Sequence, residues 1–251
     1  MNARKNIRFT TTWIAAVAML GSSAAYADST FTGTLALTND YVFRGLSQTN
    51  RDPALQGGVE YSHASGWYVG AWGSNVSWLS DVSTSSAPVS SSLELDLYGG
   101  WRGNVSDSVK LDAGLYTYYY PGEYPSGFVL PYTTEAFFGV SVGPASVKYY
   151  HSLTNLFGFA DTDGSGYLDA SVNVEFSPSW MLNAHAGRQR VKNLATASYM
   201  DWKLGVTKTF SSNWSLALAY LDTSADRSVY TNPQSSYLGR ATGVVTVTRS
   251  F

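Results

Sequence analysis

Residues 31–61 read FTGTLALTNDYVFRGLSQTNRDPALQGGVEY. In the first part, one parity carries Phe31, Gly33, Leu35, Leu37, Asn39, Tyr41 and Phe43, and the other Thr32, Thr34, Ala36, Thr38, Asp40, Val42 and Arg44. Strand side chains alternate between faces, so a strand here has one largely apolar face and one small, polar and charged face. After a turn-like SQTNRDP the chain returns with Leu55, Val59 and Tyr61 on one face and Gln56, Gly58 and Glu60 on the other. The expected hairpin needs an apolar partner on one side and tolerates water on the other.

The theme repeats to the end of the chain. About twelve alternating segments follow one another, and none after the N-terminal region has a helical period. YLDASVNVEF shows it most cleanly: Leu168, Ala170, Val172, Val174 and Phe176 oppose Tyr167, Asp169, Ser171, Asn173 and Glu175. Long connections (47–53, 79–92, 122–131, 153–166, 191–198, 223–238) alternate with short ones (63–65, 103–107, 143–144, 178, 211–213). An even strand number with tight turns at one end and long loops at the other describes an all-β, transmembrane, antiparallel up-and-down β-barrel. Aromatic residues near the strand ends fit two interfacial girdles. Trp67, Trp101, Phe176, Trp180, Phe210, Trp214 and Phe251 are expected at the short-turn rim, and Tyr41, Phe43, Trp78, Tyr119, Trp202 and Tyr220 toward the long loops. A secreted sandwich would also alternate, but it has no need of aromatics at both ends of so many strands.

The N-terminus points to the same destination. Arg4, Lys5 and Arg8 precede a short apolar run at 13–20, and Ala25-Tyr26-Ala27 offers a small-x-small cleavage site. The run is too short to span a bilayer and reads as a secretory signal peptide, 1–27, cleaved after Ala27. Residues 28–251 are then one barrel domain in a Gram-negative outer membrane. Of the 16 Lys+Arg, three leave with the leader while all 18 Asp+Glu stay. An acidic balance argues against nucleic acid and against polybasic membrane-surface binding. There is no cysteine, hence neither a disulfide framework nor a thiolate metal site.

If the apolar face meets lipid, the polar parity lines the lumen. It carries Asp40, Glu60, Glu94, Asp96, Asp112, Glu135, Asp169, Glu175 and Asp201 against Arg44, Arg102, Lys110, Lys148, Lys203 and Arg240. Asp40 and Arg44, on one face of the first strand, could pair within that network. Charges on a pore wall filter ions and orient polar solutes, although charges inside a protein are also commonly paired for structure alone. Tyr68, Trp72, Tyr98, Tyr116, Tyr118 and Tyr150 fall on the same side and would narrow the bore. A twelve-stranded barrel lies between the filled eight-stranded and the open sixteen-stranded kinds.

Catalysis is not expected. His151 and Ser152 are adjacent and so point to opposite faces, His63 sits in a short turn, and His185 points inward without a nucleophile motif. DTDGSGYLD (161–169) imitates the start of an EF-hand loop, but Val172 stands where the bidentate Glu belongs, and the stretch reads as a turn. No cofactor and no metal are implied.

LTNDYVFRGLSQTNRDPALQGGVEY, SGWYVGAWGSNV, ELDLYGGW, YTYYYPG and the terminal VTVTRSF together resemble the TorF family of porin-like proteins of the proteobacterial outer membrane, over nearly all of the chain beyond the leader. The resemblance implies an outer-membrane barrel and names no solute. Phe251 likewise resembles the terminal assembly signature of such barrels, which implies the barrel assembly machinery as a partner during biogenesis. Arg249 departs from that signature, where an apolar or aromatic residue is usual. The expected function is passive diffusion of small polar solutes or ions through a narrow charged lumen; the alternative is a closed barrel serving as a structural or surface-interaction protein.

Overall fold

A computed structural model describes residues 29–251; the expected signal peptide lies outside them. Twelve strands form one closed barrel in which each strand pairs antiparallel with its sequence neighbours, and the last pairs with the first. They are β1 (Thr30–Thr38), β2 (Ala54–Ser62), β3 (Trp67–Asn75), β4 (Leu93–Asn104), β5 (Val109–Tyr119), β6 (Thr133–Val142), β7 (Ala145–Ser152), β8 (Gly166–Ser177), β9 (Trp180–Arg190), β10 (Tyr199–Thr209), β11 (Trp214–Thr223) and β12 (Thr242–Ser250). Closure runs through Leu35 opposite Arg249 and Leu37 opposite Val247, and leaves no unpaired edge.

The alternation sets which side of each strand meets what. On β1, Phe31, Leu35 and Leu37 are exposed; on β4, Leu93, Leu95 and Leu97; on β10, Met200, Trp202 and Leu204. The exposed belt continues around the barrel through Val69, Leu115, Phe138, Val147, Leu168, Leu182 and Leu218. Soluble monomers rarely expose more than a few hundred Å² of contiguous apolar surface, so this belt matches hydrocarbon rather than water. Among the described residues no helix is long and apolar enough to cross a membrane; crossing falls to the strands.

Two glycines let adjacent strands of the wall come close together. Gly100 on β4 faces Gly114 on β5, and a Cβ on Gly114 would lie 2.2 Å from the Gly99 carbonyl oxygen and 2.8 Å from Gly100 Cα. The two backbones approach too closely for any side chain there. Gly114→Val should therefore cost about 1–3 kcal/mol or more through overpacking, read as a lower midpoint of heat-modifiable gel migration.

One segment departs from the sequence reading. β1 ends at Thr38 instead of running to Arg44, and the chain leaves the wall. Residues 39–53 turn inward, with a small hairpin of Val42–Phe43 against Leu46–Ser47 inside the barrel. Tyr41, expected in a lipid-facing girdle, is buried with its ring 5.4 Å from that of Trp72. Phe43 packs on Tyr118 and Phe157, and Trp78 on Tyr120. These three aromatics belong to the interior and the loop cap. Tyr119, Trp202 and Tyr220 remain exposed at the long-loop rim, and Trp67, Phe176, Trp180, Phe210, Trp214 and Phe251 at the short-turn rim.

The long loops are ordered as a cap. Arg51 donates to Ser236 Oγ (3.2 Å) and to the Tyr237 carbonyl. Gln234 reaches the Asp81 carbonyl at 2.8 Å, and the Ser77 N–H reaches the Gln48 carbonyl at 2.8 Å. Apolar contacts among Leu156, Val191 and Ala197, with Phe159, Leu194 and Tyr230 around them, close the other side.

Candidate functional site

The inserted hairpin is the centre of the lumen. Asp40 begins it: its Oδ1 accepts from Ser47 Oγ at 2.6 Å and Thr49 Oγ1 at 3.3 Å, while the Gln48 N–H reaches the Tyr41 carbonyl at 2.7 Å. The turn is made by Arg44 (φ 46) and Gly45 (φ 78). Two positive φ values in a two-residue loop are the signature of a type I′ turn. Gly45 is required twice over, because a Cβ there would also lie 2.6 Å from Asp201 Cβ and 3.0 Å from Thr223 Cβ. The hairpin thus enters the bore from β1, with Gly45 against Asp201 on β10 and Thr223 on β11.

Arg44 fixes its tip. The guanidinium forms a two-bond fork with Glu135 on β6 (Nη1 to Oε1 3.0 Å, Nη2 to Oε2 2.6 Å) and a third bond to Gln189 Oε1 on β9 at 3.1 Å. Its carbon lies 4.3 Å from the Tyr167 ring centre, 4.8 Å from Phe43 and 5.0 Å from Tyr150. Glu135 is fully buried and also accepts from Tyr118 and Ser152 hydroxyls. A planar cation with a bidentate partner and aromatic faces is the arrangement that suits arginine and not lysine.

Beside the hairpin several of the remaining charges are paired. Arg102 forks onto Glu60 at 3.0 and 3.1 Å, with the Tyr68 ring 3.7 Å from its guanidinium carbon. Lys148 meets Asp112 at 3.1 Å, and Tyr68 donates to the same carboxylate at 2.6 Å. His185 stands between Asp201 (Nε2, 2.8 Å) and Asp169 (Nδ1, 3.3 Å). Tyr98 and Tyr116 stack at 5.2 Å, and Tyr116 donates to Asp96 at 2.9 Å. Glu94 accepts from Tyr41 at 3.4 Å. Lys110 and Lys203 also face the bore, Lys203 within electrostatic reach of Asp169 and Asp201.

The lumen is lopsided. From β3 to β9 its wall carries these aromatics and charges. On β11 and β12 it carries Ser215, Ala217, Ala219, Val244, Thr246 and Thr248. Small side chains leave room there, and a cavity of about 440 Å³ around the Arg44–Gly45 tip is lined by side chains from all twelve strands, this wall included.

Most residues expected in the lumen face it, including the aromatics Tyr68, Trp72, Tyr98, Tyr116, Tyr118 and Tyr150. Asp40 and Arg44 do so from the hairpin, and they do not pair with each other. Glu175 is exposed at the short-turn rim, where it accepts the Ser179 N–H at 3.1 Å. Arg240 is exposed in the last long loop, ahead of β12. In the EF-hand-like stretch, Asp163 pairs with Lys192 at 3.5 Å and Asp169 points to His185. Among the described residues no group of three His, Cys, Asp or Glu is placed to hold a metal ion. The reading of the sequence put Tyr167 on the inward parity without giving it a role, and it missed Gln189 and the small-residue wall; Ala217 and Ala219 on the inward parity of β11 were the available signal for the latter.

Comparison with solved structures finds the same architecture. A KdgM porin superposes with a TM-score of 0.52 at 8% identity, over 89% of this chain and 99% of that one. A NanC porin gives 0.52 at 7% identity, over 87% and 98%. A KdgM porin in complex with disordered oligogalacturonate gives 0.51 at 9% identity, over 89% and 99%. At such identities the likeness is one of fold. No curated protein matches the chain. A family model matches residues 22–251, nearly the whole chain, and the chain therefore belongs to the bacterial protein family of unknown function called Gcw_chp.

Proposed function

We propose that this protein is a narrow outer-membrane channel for passive diffusion of small polar solutes or ions. The observation that carries the reading is the cavity of about 440 Å³ left around the hairpin, lined by charged, aromatic and, on β11 and β12, small side chains. A barrel built only as a scaffold would fill that wall with large side chains, as β3 to β9 do. Catalysis has no part in it. The apolar belt, the expected leader and the resemblance to TorF-family proteins support an outer-membrane location, with lipid around the barrel and the assembly machinery acting at Phe251. KdgM has been captured with an oligogalacturonate, and here Lys110 and Lys203, the bore-facing cations outside the Arg44, Arg102 and Lys148 ion pairs, would meet an anionic solute.

Selectivity on this reading belongs to Lys110 and Lys203, because Arg44, Arg102 and Lys148 are held in ion pairs. Lys110→Glu with Lys203→Glu should shift reversal potentials toward cations, by about twofold in permeability ratio, since charges on the pore wall set the local ion balance. Single-channel recording of the folded, leader-free protein in planar bilayers tests the function itself. Discrete steps are expected. A heat-modifiable barrel with no steps at any voltage would instead support the closed surface protein, a reading favoured by the hairpin bridging the bore.

A further inference from the structure

Every Asp, Glu, Lys and Arg on the outward parity of the described barrel strands falls in one sector, β9 to β12. They are Arg188, Arg190, Lys208, Asp222 and Arg249. The outward faces of β1 to β8 carry none. Charge facing hydrocarbon is costly and tolerated near the interfaces, so its confinement to a third of the circumference calls for a local cause.

Two of these cations share the short-turn rim. Lys208 Nζ lies 5.0 Å from the centre of the Trp180 ring. The Arg249 guanidinium carbon lies 5.8 Å from Trp214 and 5.3 Å from Phe251, and its Nη1 is buried without a hydrogen-bond partner. Glu175 on the same rim bonds the Ser179 N–H, and Asp222 stands at the opposite rim, paired in register with Trp202. The surface between the rims is hollow. An apolar depression of about 520 Å³ is lined by Leu182, Leu204, Leu218, Tyr220, Val245 and Gly243. A Cβ on Gly243 would meet nothing within 4 Å, so the depression is open at that point. Val206, on its wall, is two residues from Lys208, roughly 7 Å along the strand.

We propose that this sector is a docking surface for an anionic glycerophospholipid of the leaflet at the short-turn rim. The phosphate sits between Lys208 and Arg249, and an acyl chain lies in the depression toward Gly243. Arg249, out of place in an assembly signature, then has a ligand. The proposal rests on the reading of the chain as a membrane barrel and is independent of whether the lumen conducts.

Native mass spectrometry of the heat-modifiable barrel in detergent tests it, with phosphatidylglycerol, phosphatidylethanolamine or diacylglycerol added. Phosphatidylglycerol should be retained about tenfold better than diacylglycerol, as two cations at a phosphate surface supply. Lys208→Gln alone should reduce that preference, and Lys208→Gln with Arg249→Gln should abolish it. Gly243→Leu, which fills open space, should weaken retention of all three lipids. Equal retention of phosphatidylglycerol and diacylglycerol, or variants that behave as the parent, would overturn the proposal. So would a dimer that Gly243→Leu dissociates, since a second copy would then occupy the depression. Unitary conductance of Lys208→Gln should match the parent; a parent that binds lipid and never conducts would remove the channel reading and leave this one standing.

Discussion

Replacing residues 40–52 by a four-residue Gly/Asn turn should raise unitary conductance on the order of fivefold, because a twelve-stranded wall without an internal hairpin encloses a bore wider than its side chains can fill. The substitution is geometrically mild. Thr38 and Ala54 are already direct partners on β1 and β2, so a tight connection joins them without moving either strand. Asn39 stays, because its backbone and side chain bond Val245 and Gly243 on β12 and secure closure. The deletion also removes Arg51 and Gln48, which tie this loop to its neighbours in the cap. Gly45→Val separates the two effects. It leaves the cap contacts in place and drives a Cβ into Asp201, so it should unseat only the tip and give intermediate, fluctuating conductance. Unchanged steps in both variants would mean that ions bypass the hairpin.

How far the sequence could be read follows from where each residue's partners lie. The wall was legible because hydrocarbon demands one apolar parity along the middle of every strand, and that demand is written locally. Loop lengths gave the polarity of the barrel in the same way. The hairpin was not legible by parity. Asp40, Val42 and Arg44 continue the alternation of β1 as though the strand went on, because a polar segment folded into a polar lumen obeys the same pattern as a wall facing it. What distinguishes the two cases is the partner of Arg44, which is Glu135 in a distant strand. The local trace was the Arg44-Gly45 pair, a residue type that permits positive φ beside one that does so at a cost. Glu175 and Arg240 show a second limit. Period-two alternation assigns a side but not a depth, so a carboxylate at the rim and a guanidinium beyond it scored as lumen charges. Of the lipid-facing cations, Arg249 stood out in the sequence only as a departure from the terminal signature, and only the closed barrel brings Lys208 and Arg249 to one sector.

Arg44→Ala should be the most damaging single substitution in the lumen. It leaves the Glu135 carboxylate buried with only the Tyr118 and Ser152 hydroxyls as donors, and removing one partner of a buried ion pair typically costs about 3–5 kcal/mol. The barrel need not unfold to escape that cost, because the hairpin can leave the bore and let water reach Glu135. At 1.4 kcal/mol per tenfold, a penalty of about 3 kcal/mol multiplies the unseated population by on the order of a hundred. The expected record is therefore a large gain in open-state occupancy, with only a small fall in the midpoint of heat-modifiable migration. Glu135→Gln should act in the same direction and more weakly, because Gln189 and the Tyr167 and Tyr150 faces still hold the guanidinium. Combining the two should cost less than their sum, the mark of direct coupling in a double-mutant cycle. Strict additivity, or a fall in melting midpoint as large as the gain in occupancy, would show that the ion pair supports the wall and does not latch the hairpin.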